Sequence, residues 1–470
     1  MYDVPVRKGE SWLVARVRRH VGELLRLALP VVVARIGLLT MALVDTIMVG
    51  RYDTDDLAYL SIGLTIPMTC LVVVIGLLIG TIAKTSQAFG REEWAACGRV
   101  WRWSLPYTLI LGSVCTVVSL FGEPLLLLFG QTPEMAAAGG RIMWIVGLGL
   151  PFGLVFTATS FFLEGIKRPM AGMVMMIAAN VINVLLDWLL VYGKWGLPEL
   201  GAEGSAWTTT TVRLFLGVAL VTYVLHMRDR DRFAVRVWPG LRWRAWADQR
   251  RIGYAAGVSH GIEVGAFTTV AMFAGWLGEQ ALAAYSIALN VISIMFMVAI
   301  GFGVATAVRV GIAHGRRDWA DMALAGWTGL GVNTVAMVAC GIVLLVFPDA
   351  VVAVYTEDPA VAATATGLVV LSAFLLAFDG GQGLMATALR GRSDNVVPTA
   401  LHFVSYILVM IPLCWWLALP LERGARGLIE GMLVASVVSL GLLSARFHVL
   451  ARRDARTMGR EPAIVRTCGT

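Results

Sequence analysis

Four carboxylic acids, Asp45, Asp187, Glu263 and Asp379, stand inside apolar runs long enough to cross a bilayer. A charged side chain near the bilayer centre costs on the order of 2.5–3.5 kcal/mol on insertion scales, so four in one chain point to a working role. Each has polar company at helical spacing. Asn183 lies one turn before Asp187, and Thr208 enters the next apolar run at the depth that Asp45 and Asp187 occupy, counting about 1.5 Å per helical residue. Asp45, Asn183, Asp187 and Thr208 together offer two carboxylates, an amide oxygen and a hydroxyl. That set suits Na⁺ or a shared proton, although interhelical hydrogen bonding accounts for Asn183 and Thr208 equally well. Asn180 extends the same polar face. In the second half, His260 accompanies Glu263 and Gln382 accompanies Asp379. A carboxylate removed from water exchanges a proton readily and, when ionised, attracts an organic cation. His260 also reads as a satisfied core histidine.

The elements that must position these groups are membrane helices. With 470 residues, 58% hydrophobic and only 15% charged, the chain is far more apolar than a water-soluble domain. A spanning helix needs roughly 20 mostly apolar residues, and twelve such runs are expected: 26–50, 57–83, 100–121, 141–163, 170–193, 203–226, 252–276, 282–308, 322–347, 361–389, 396–419 and 424–450. They are continuous rather than alternating, which excludes a membrane β-barrel. Internal prolines (Pro30, Pro67, Pro106, Pro151) are tolerated where helices pack together. The first run is too long for a signal-peptide core and is expected to be retained.

Charge supports the same plan. The formal net charge of +7 does not indicate nucleic acid, because most of the 38 Lys and Arg residues fall in segments that share one side of the membrane. Both termini are then expected in the cytoplasm, with the protein in an inner membrane. The six cysteines follow no metal or disulfide spacing and read as small apolar fillers. No phosphate-binding carboxylate cluster, zinc motif or serine elbow suggests an enzyme, and no cofactor is expected.

The chain repeats itself. Leu57, Ala58, Ser61 and Ile62 recur as Leu282, Ala283, Ser286 and Ile287; Gly90, Arg91, Trp94 and Ala95 recur as Gly315, Arg316, Trp319 and Ala320, all 225 positions on. Pro133 and Gly165 recur as Pro359 and Gly391, and Gly201, Ala202 and Gly204 as Gly424, Ala425 and Gly427. The expected organisation is an N-lobe (1–226), a polar cytoplasmic linker (227–251), a C-lobe (252–450) and a basic cytoplasmic tail (451–470). Transporters use such repeats for alternating access. The acids are not repeated: position 38, the counterpart of Glu263, is leucine, and position 270, the counterpart of Asp45, is valine.

Several residues carry two readings. Arg35 is expected to snorkel to the cytoplasmic face. Arg213 pairs with Asp187 or Asp45, or is structural. Met173, Met175 and Met176, with Met295, Phe296 and Met297, suit ordinary packing or an adaptable binding wall. Trp238, Trp243 and Trp246 are expected to be interfacial anchors.

Residues 44–50 (VDTIMVG), the run 183–187 followed by Val191-Tyr192-Gly193 and Gly201-Ala202-Glu203-Gly204, and Leu389-Arg390-Gly391 after Asp379 resemble the multidrug and toxic compound extrusion (MATE) family, nearly end to end. The resemblance implies an all-α membrane fold: twelve helices in two pseudo-symmetric six-helix lobes around a central cavity. It implies export of small cationic, amphipathic compounds in exchange for H⁺ or Na⁺. Asp45, Asn183, Asp187 and Thr208 match the N-lobe cation site described for archaeal and DinF-like members. Glu263 and Asp379 match the C-lobe acids typical of the NorM branch. Leu375 stands where some NorM members place a tyrosine, which weighs against cation coordination in the C-lobe. A monomer working in membrane lipid is expected. The alternative is a flippase for a lipid-linked precursor, which would line its cavity with several cationic residues.

Overall fold

The computed structural model describes residues 12–237, 240 and 243–458, and among them there is no strand. Trp238, Cys468 and the two ends of the chain lie outside the described residues, as does the tail beyond Met458. The helices in chain order are α1 (Trp12–Tyr52), α2 (Thr54–Gly90), α3 (Trp94–Leu120), α4 (Gly122–Leu128), α5 (Pro133–Gly165), α6 (Met170–Leu190), α7 (Gly201–His226), α8 (Ala247–Trp276), α9 (Glu279–Gly315), α10 (Trp319–Val346), α11 (Pro348–Ala353), α12 (Pro359–Gly391), α13 (Val396–Phe403), α14 (Ile411–Ala418) and α15 (Gly424–Met458). A widened π turn over Val404–Met410 joins α13 to α14.

Among the described residues, eleven helices or helix runs are long and apolar enough to cross a membrane. The twelfth expected span is α8. It has the length, 30 residues, but Ser259, His260 and Glu263 dilute its apolar character. Five helices, α1, α2, α5, α9 and α12, overrun the expected spans at both ends. The starts follow ordinary chemistry: Asp53 caps α2 by accepting from the amides of Asp55 and Asp56, and Thr132-Pro133 and Asp358-Pro359 open α5 and α12 with a capping side chain and a proline at the first helical position.

The internal repeat is structural. α2 and α9 both contain 37 residues, and α5 and α12 both contain 33. The chain folds into two compact units, one of Leu29–Val264 and one of the segment ending at Ala28 together with the chain from Gly265 onward. The division falls inside α1 and α8 rather than at the polar linker, and side-chain contacts explain why. In the unit that contains α9 and α10, Arg19 donates to Asp321 at 2.9 Å, the buried His20 ring meets the same carboxylate at 2.9 Å, and Arg309 lies 3.6 Å from Glu23 and donates to the His20 backbone. In the other unit, Gln249 at the start of α8 donates to Ser104 at 2.8 Å and to Thr81 at 3.1 Å, and Lys84 lies 3.8 Å from Asp248. Glu23 and Asp248, like Lys84 and Arg309, are 225 positions apart. The first turns of each repeat's leading helix therefore dock, through the same pair of positions, on the second helix of the other repeat.

Trp246 is not an interfacial anchor. It is buried, with Tyr107 edge-on at 5.5 Å and the Arg250 guanidinium at 4.6 Å from its ring. Cys97, Cys115 and Cys414 are buried and Cys70 and Cys340 half-buried, all as free thiols.

Close approach of α6 and α7 depends on Gly204, where an added Cβ would lie 2.6 Å from the Leu190 carbonyl oxygen. Gly204→Leu is expected to destabilise the protein by about 1–3 kcal/mol through overpacking, read as a lower melting temperature in detergent. Gly261→Ala is the control, since nothing lies within 4 Å of that site. Equal melting temperatures for the two variants would contradict this account of the helix pair.

Candidate functional site

The N-terminal cluster is built by three helices of the Leu29–Val264 unit. Tyr192, just past α6, donates its hydroxyl to the Met48 carbonyl at 2.9 Å, which ties the end of α1 to the α6–α7 connection. Asp56 at the start of α2 accepts the Ala202 amide at 2.8 Å and holds the start of α7. With these ends fixed, Asp45 on α1 meets α6 and α7 in the interior. Asn183 donates to Asp45 Oδ1 at 2.9 Å, and Thr209 donates to Asp45 Oδ2 at 2.9 Å. Asp187, Thr208 and Ser205 are wholly buried beside them.

Asp187 is the unusual member. Asp45, Thr208 and Ser205 lie within reach of it, yet no hydrogen bond of ordinary geometry ends on either of its carboxylate oxygens. The hydroxyls of Thr208 and Ser205 and the Asn183 amide oxygen are likewise unbonded. Buried polar groups are almost always bonded, since an unmet one costs about 1–3 kcal/mol. Several unmet oxygens around one carboxylate form a donor set for a hard cation, or for a proton shared between Asp45 and Asp187. All four expected residues are brought together. Thr209 and Ser205 are additions: the run of threonines at 208–211 signalled hydroxyls on this helix without saying which faced inward. Asn180 instead turns its amide to the Met176 carbonyl.

Arg213, one turn further along α7, is 8% exposed and donates to the Val146 carbonyl at 3.4 Å. It stands within electrostatic reach of Asp45 and lines a cavity in the same unit with Arg35, Glu164, Phe156, Met173 and Met176. Arg35 therefore does not simply snorkel to the interface. Its guanidinium lies 3.8 Å from Glu164 and 5.6 Å from the Phe161 ring centroid. Glu164 is a buried acid outside the fourth expected span, which ends at 163; the tenth ends at the equivalent position, 389, so the repeat gives no sign of it. Met173 and Met176 serve both readings, since Met176 also belongs to the packed core.

The second set is divided between the units. His260 and Glu263 are in the Leu29–Val264 unit, with His260 Nδ1 3.3 Å from Glu263 Oε2. The ring packs on Gly76 of α2, where a Cβ would lie 2.7 Å from it. Asp379 and Gln382 are in the other unit. Ser436 donates to Asp379 Oδ1 at 3.2 Å, Gln382 lies 3.4 Å from the same oxygen, and Gln382 is held by Tyr406 at 2.8 Å and Ser439 at 3.3 Å. A phenol thus enters this cluster from the π turn, while Leu375 is buried. Ser436 and Ser439, three apart on one helix face, were detectable by spacing; Tyr406 was not.

Comparison with known proteins gives the family. The family model described as MatE matches residues 30–189 and again 256–416, once in each repeat. The chain belongs to the MATE family. It is 39% identical over 435 residues to the probable multidrug resistance protein NorM of Caulobacter vibrioides, covering 92% of each chain. It is 30% identical to the multidrug resistance protein PmpM of Pseudomonas aeruginosa, covering 94% of each. Its fold is that of the crystal structure of the eukaryotic MATE transporter AtDTX14, with a TM-score of 0.85 at 17% identity, covering 94% of this chain and 99% of that one. An outward-facing multidrug resistance MATE family transporter matches with a TM-score of 0.84 at 18% identity, covering 92% and 96%. The chain is a NorM-like membrane transporter built on the twelve-helix all-α plan of this family.

Thr209→Val is expected to cost about 1.5–3 kcal/mol, the range for a hydrogen bond to a charged group, while Thr209→Ser restores it. In an Asp45→Asn background the loss is expected to fall by more than half. Thermal unfolding of the four proteins in detergent measures the coupling; additive losses would mean that Thr209 does not act on Asp45.

Proposed function

We propose that this transporter exports small amphipathic organic cations across an inner membrane in exchange for Na⁺ or H⁺, working as a monomer with both termini cytoplasmic. The observation that carries the reading is the unmet oxygen set of Asp187, Thr208, Ser205 and Asn183, beside Asp45, whose two carboxylate oxygens accept from Asn183 and Thr209. Such a cluster binds a cation or proton in one state and must be relieved of it in the other. A ligand shifts a two-state carrier only by its differential affinity for the two states. Inward movement of one elementary charge gains about 2.3 kcal/mol per 100 mV of membrane potential, enough to drive export against a gradient. The multidrug resistance names of the relatives support an organic substrate. The cavity beside the cluster is walled by Phe156, Met173 and Met176, an adaptable apolar surface for flat molecules, with Glu164 facing Arg35.

Glu263 and Asp379 would then supply counter-charge for the substrate or a second proton site. A flippase for an anionic lipid precursor is the poorer reading, because the relatives are named as multidrug resistance proteins.

Ethidium efflux from proteoliposomes under separately imposed Na⁺ and pH gradients tests the proposal. Efflux is expected under at least one gradient. Asp45→Asn and Asp379→Asn are each expected to abolish drug resistance in cells at unchanged expression. Transport driven by neither gradient, or full resistance in both variants, would overturn it.

A further inference from the structure

The run 396–418 is not one regular helix: α13 widens into the π turn over Val404–Met410 before α14 resumes. Pro412 accounts for its place. Proline has no N–H to give to the carbonyl of Leu408, and in a regular turn its ring would crowd that carbonyl; a wider turn relieves both problems. The turn also changes alignment. His402, Tyr406, Met410, Cys414 and Ala418 are buried at four-residue steps. Each such step overshoots a regular α turn by about 40°, so the row would drift roughly 160° around a straight helix. Taking an extra residue into one turn brings the row back to one face.

Tyr406 is kept on that face. It is 2% exposed, its ring meets His402 edge-on at 5.6 Å and Phe267 at 6.1 Å, and its hydroxyl accepts from Gln382 Nε2 at 2.8 Å. The same amide nitrogen stands 3.4 Å from Asp379 Oδ1, while Ser439 donates to Gln382 Oε1 at 3.3 Å. The amide is therefore drawn to the phenol by a short bond and only loosely engages the carboxylate. Hydrogen bonds to an ionised carboxylate stabilise the charged form, so an amide that closed fully on Asp379 would compete with a cation or proton for it.

We propose that Tyr406 is a positioning residue for Asp379: by holding the Gln382 amide, it keeps that amide from competing with the coupling cation. The proposal rests on Asp379 being a cation-exchanging acid of the transport cycle. Tyr406→Phe preserves the ring contacts and removes the hydroxyl, a donor as well as the acceptor that Gln382 uses, which releases Gln382 toward Asp379. The expected result is about a fivefold rise in the cation concentration that half-saturates transport, the loss carried by one ordinary hydrogen bond, with the maximal rate within about twofold of the parent. Gln382→Ala removes the competing donor, so Tyr406→Phe in that background is expected to change half-saturation by less than about 1.5-fold.

The experiment is ethidium efflux from proteoliposomes of the full chain, driven by whichever of Na⁺ or H⁺ drives the parent, with Tyr406→Phe, Gln382→Ala, their combination and Asp379→Asn compared at equal reconstitution. An unchanged half-saturation in Tyr406→Phe, or the same shift in both backgrounds, would overturn the positioning role, since a merely structural tyrosine acts without regard to Gln382. Retained gradient-driven efflux in Asp379→Asn would instead overturn the underlying reading of Asp379, as would a parent driven by neither cation.

Discussion

The cost of keeping a carboxylate away from water governs this structure. Asp45, Asp187 and Asp379 are each less than a tenth exposed within long apolar helices, and an isolated charge so placed would settle its account by taking a proton or a partner. Asp45 is met by an amide and a hydroxyl from two other helices, and Asp379 by a serine and a glutamine that is itself secured by a tyrosine and a second serine. Asp187 is left with its oxygens unmet. A donor set complete but for a positive partner is the physical form that exchange requires, because a fully satisfied carboxylate would have no reason to bind and release anything.

Those polar groups act only if the helices carrying them are held in register. The devices lie at the helix ends: Tyr192 on Met48, Asp56 on Ala202, and the close approach at Gly204 set α1, α6 and α7 together. Docking of the first turns of α1 and α8 on the second helix of the opposite repeat is the larger-scale version of the same arrangement. Two ion pairs at equivalent positions, Arg309 with Glu23 and Lys84 with Asp248, mark it. Their settings differ: Arg309 joins a buried network with His20 and Asp321, whereas Lys84 meets an exposed aspartate with neutral hydrogen bonds beside it. The repeat preserves geometry while its chemistry has diverged, as the unrepeated acids also indicate.

Much of the candidate site was legible because membrane helices obey simple rules. Depth could be counted from the end of each apolar run, which places Asp45, Asp187 and Thr208 at one level, and helical spacing puts Asn183 on the face of Asp187. The same counting failed at span ends. Glu164 falls just past the apolar run and Arg35 reads as interfacial, because hydropathy does not mark where a helix stops when its last turn is packed inside protein. Thr209, rather than Thr208, donates to Asp45 because neighbouring residues on a helix point about 100° apart, and only packing decides which of them faces inward.

Composition and pattern alone determined the membrane class, the helical fold, the internal repeat and four of the interior acids, Asp45, Asp187, Glu263 and Asp379, since each follows from the energetics of single side chains in lipid or from matches along one chain. The tertiary structure decided which oxygens meet Asp45, which are left unmet around Asp187, and that Glu263 and Asp379 belong to different compact units. It alone revealed the division of α1 and α8 between units and the entry of Tyr406 through a π turn. Those are contacts between residues far apart in the chain, and no local propensity encodes a partner that arrives from another helix.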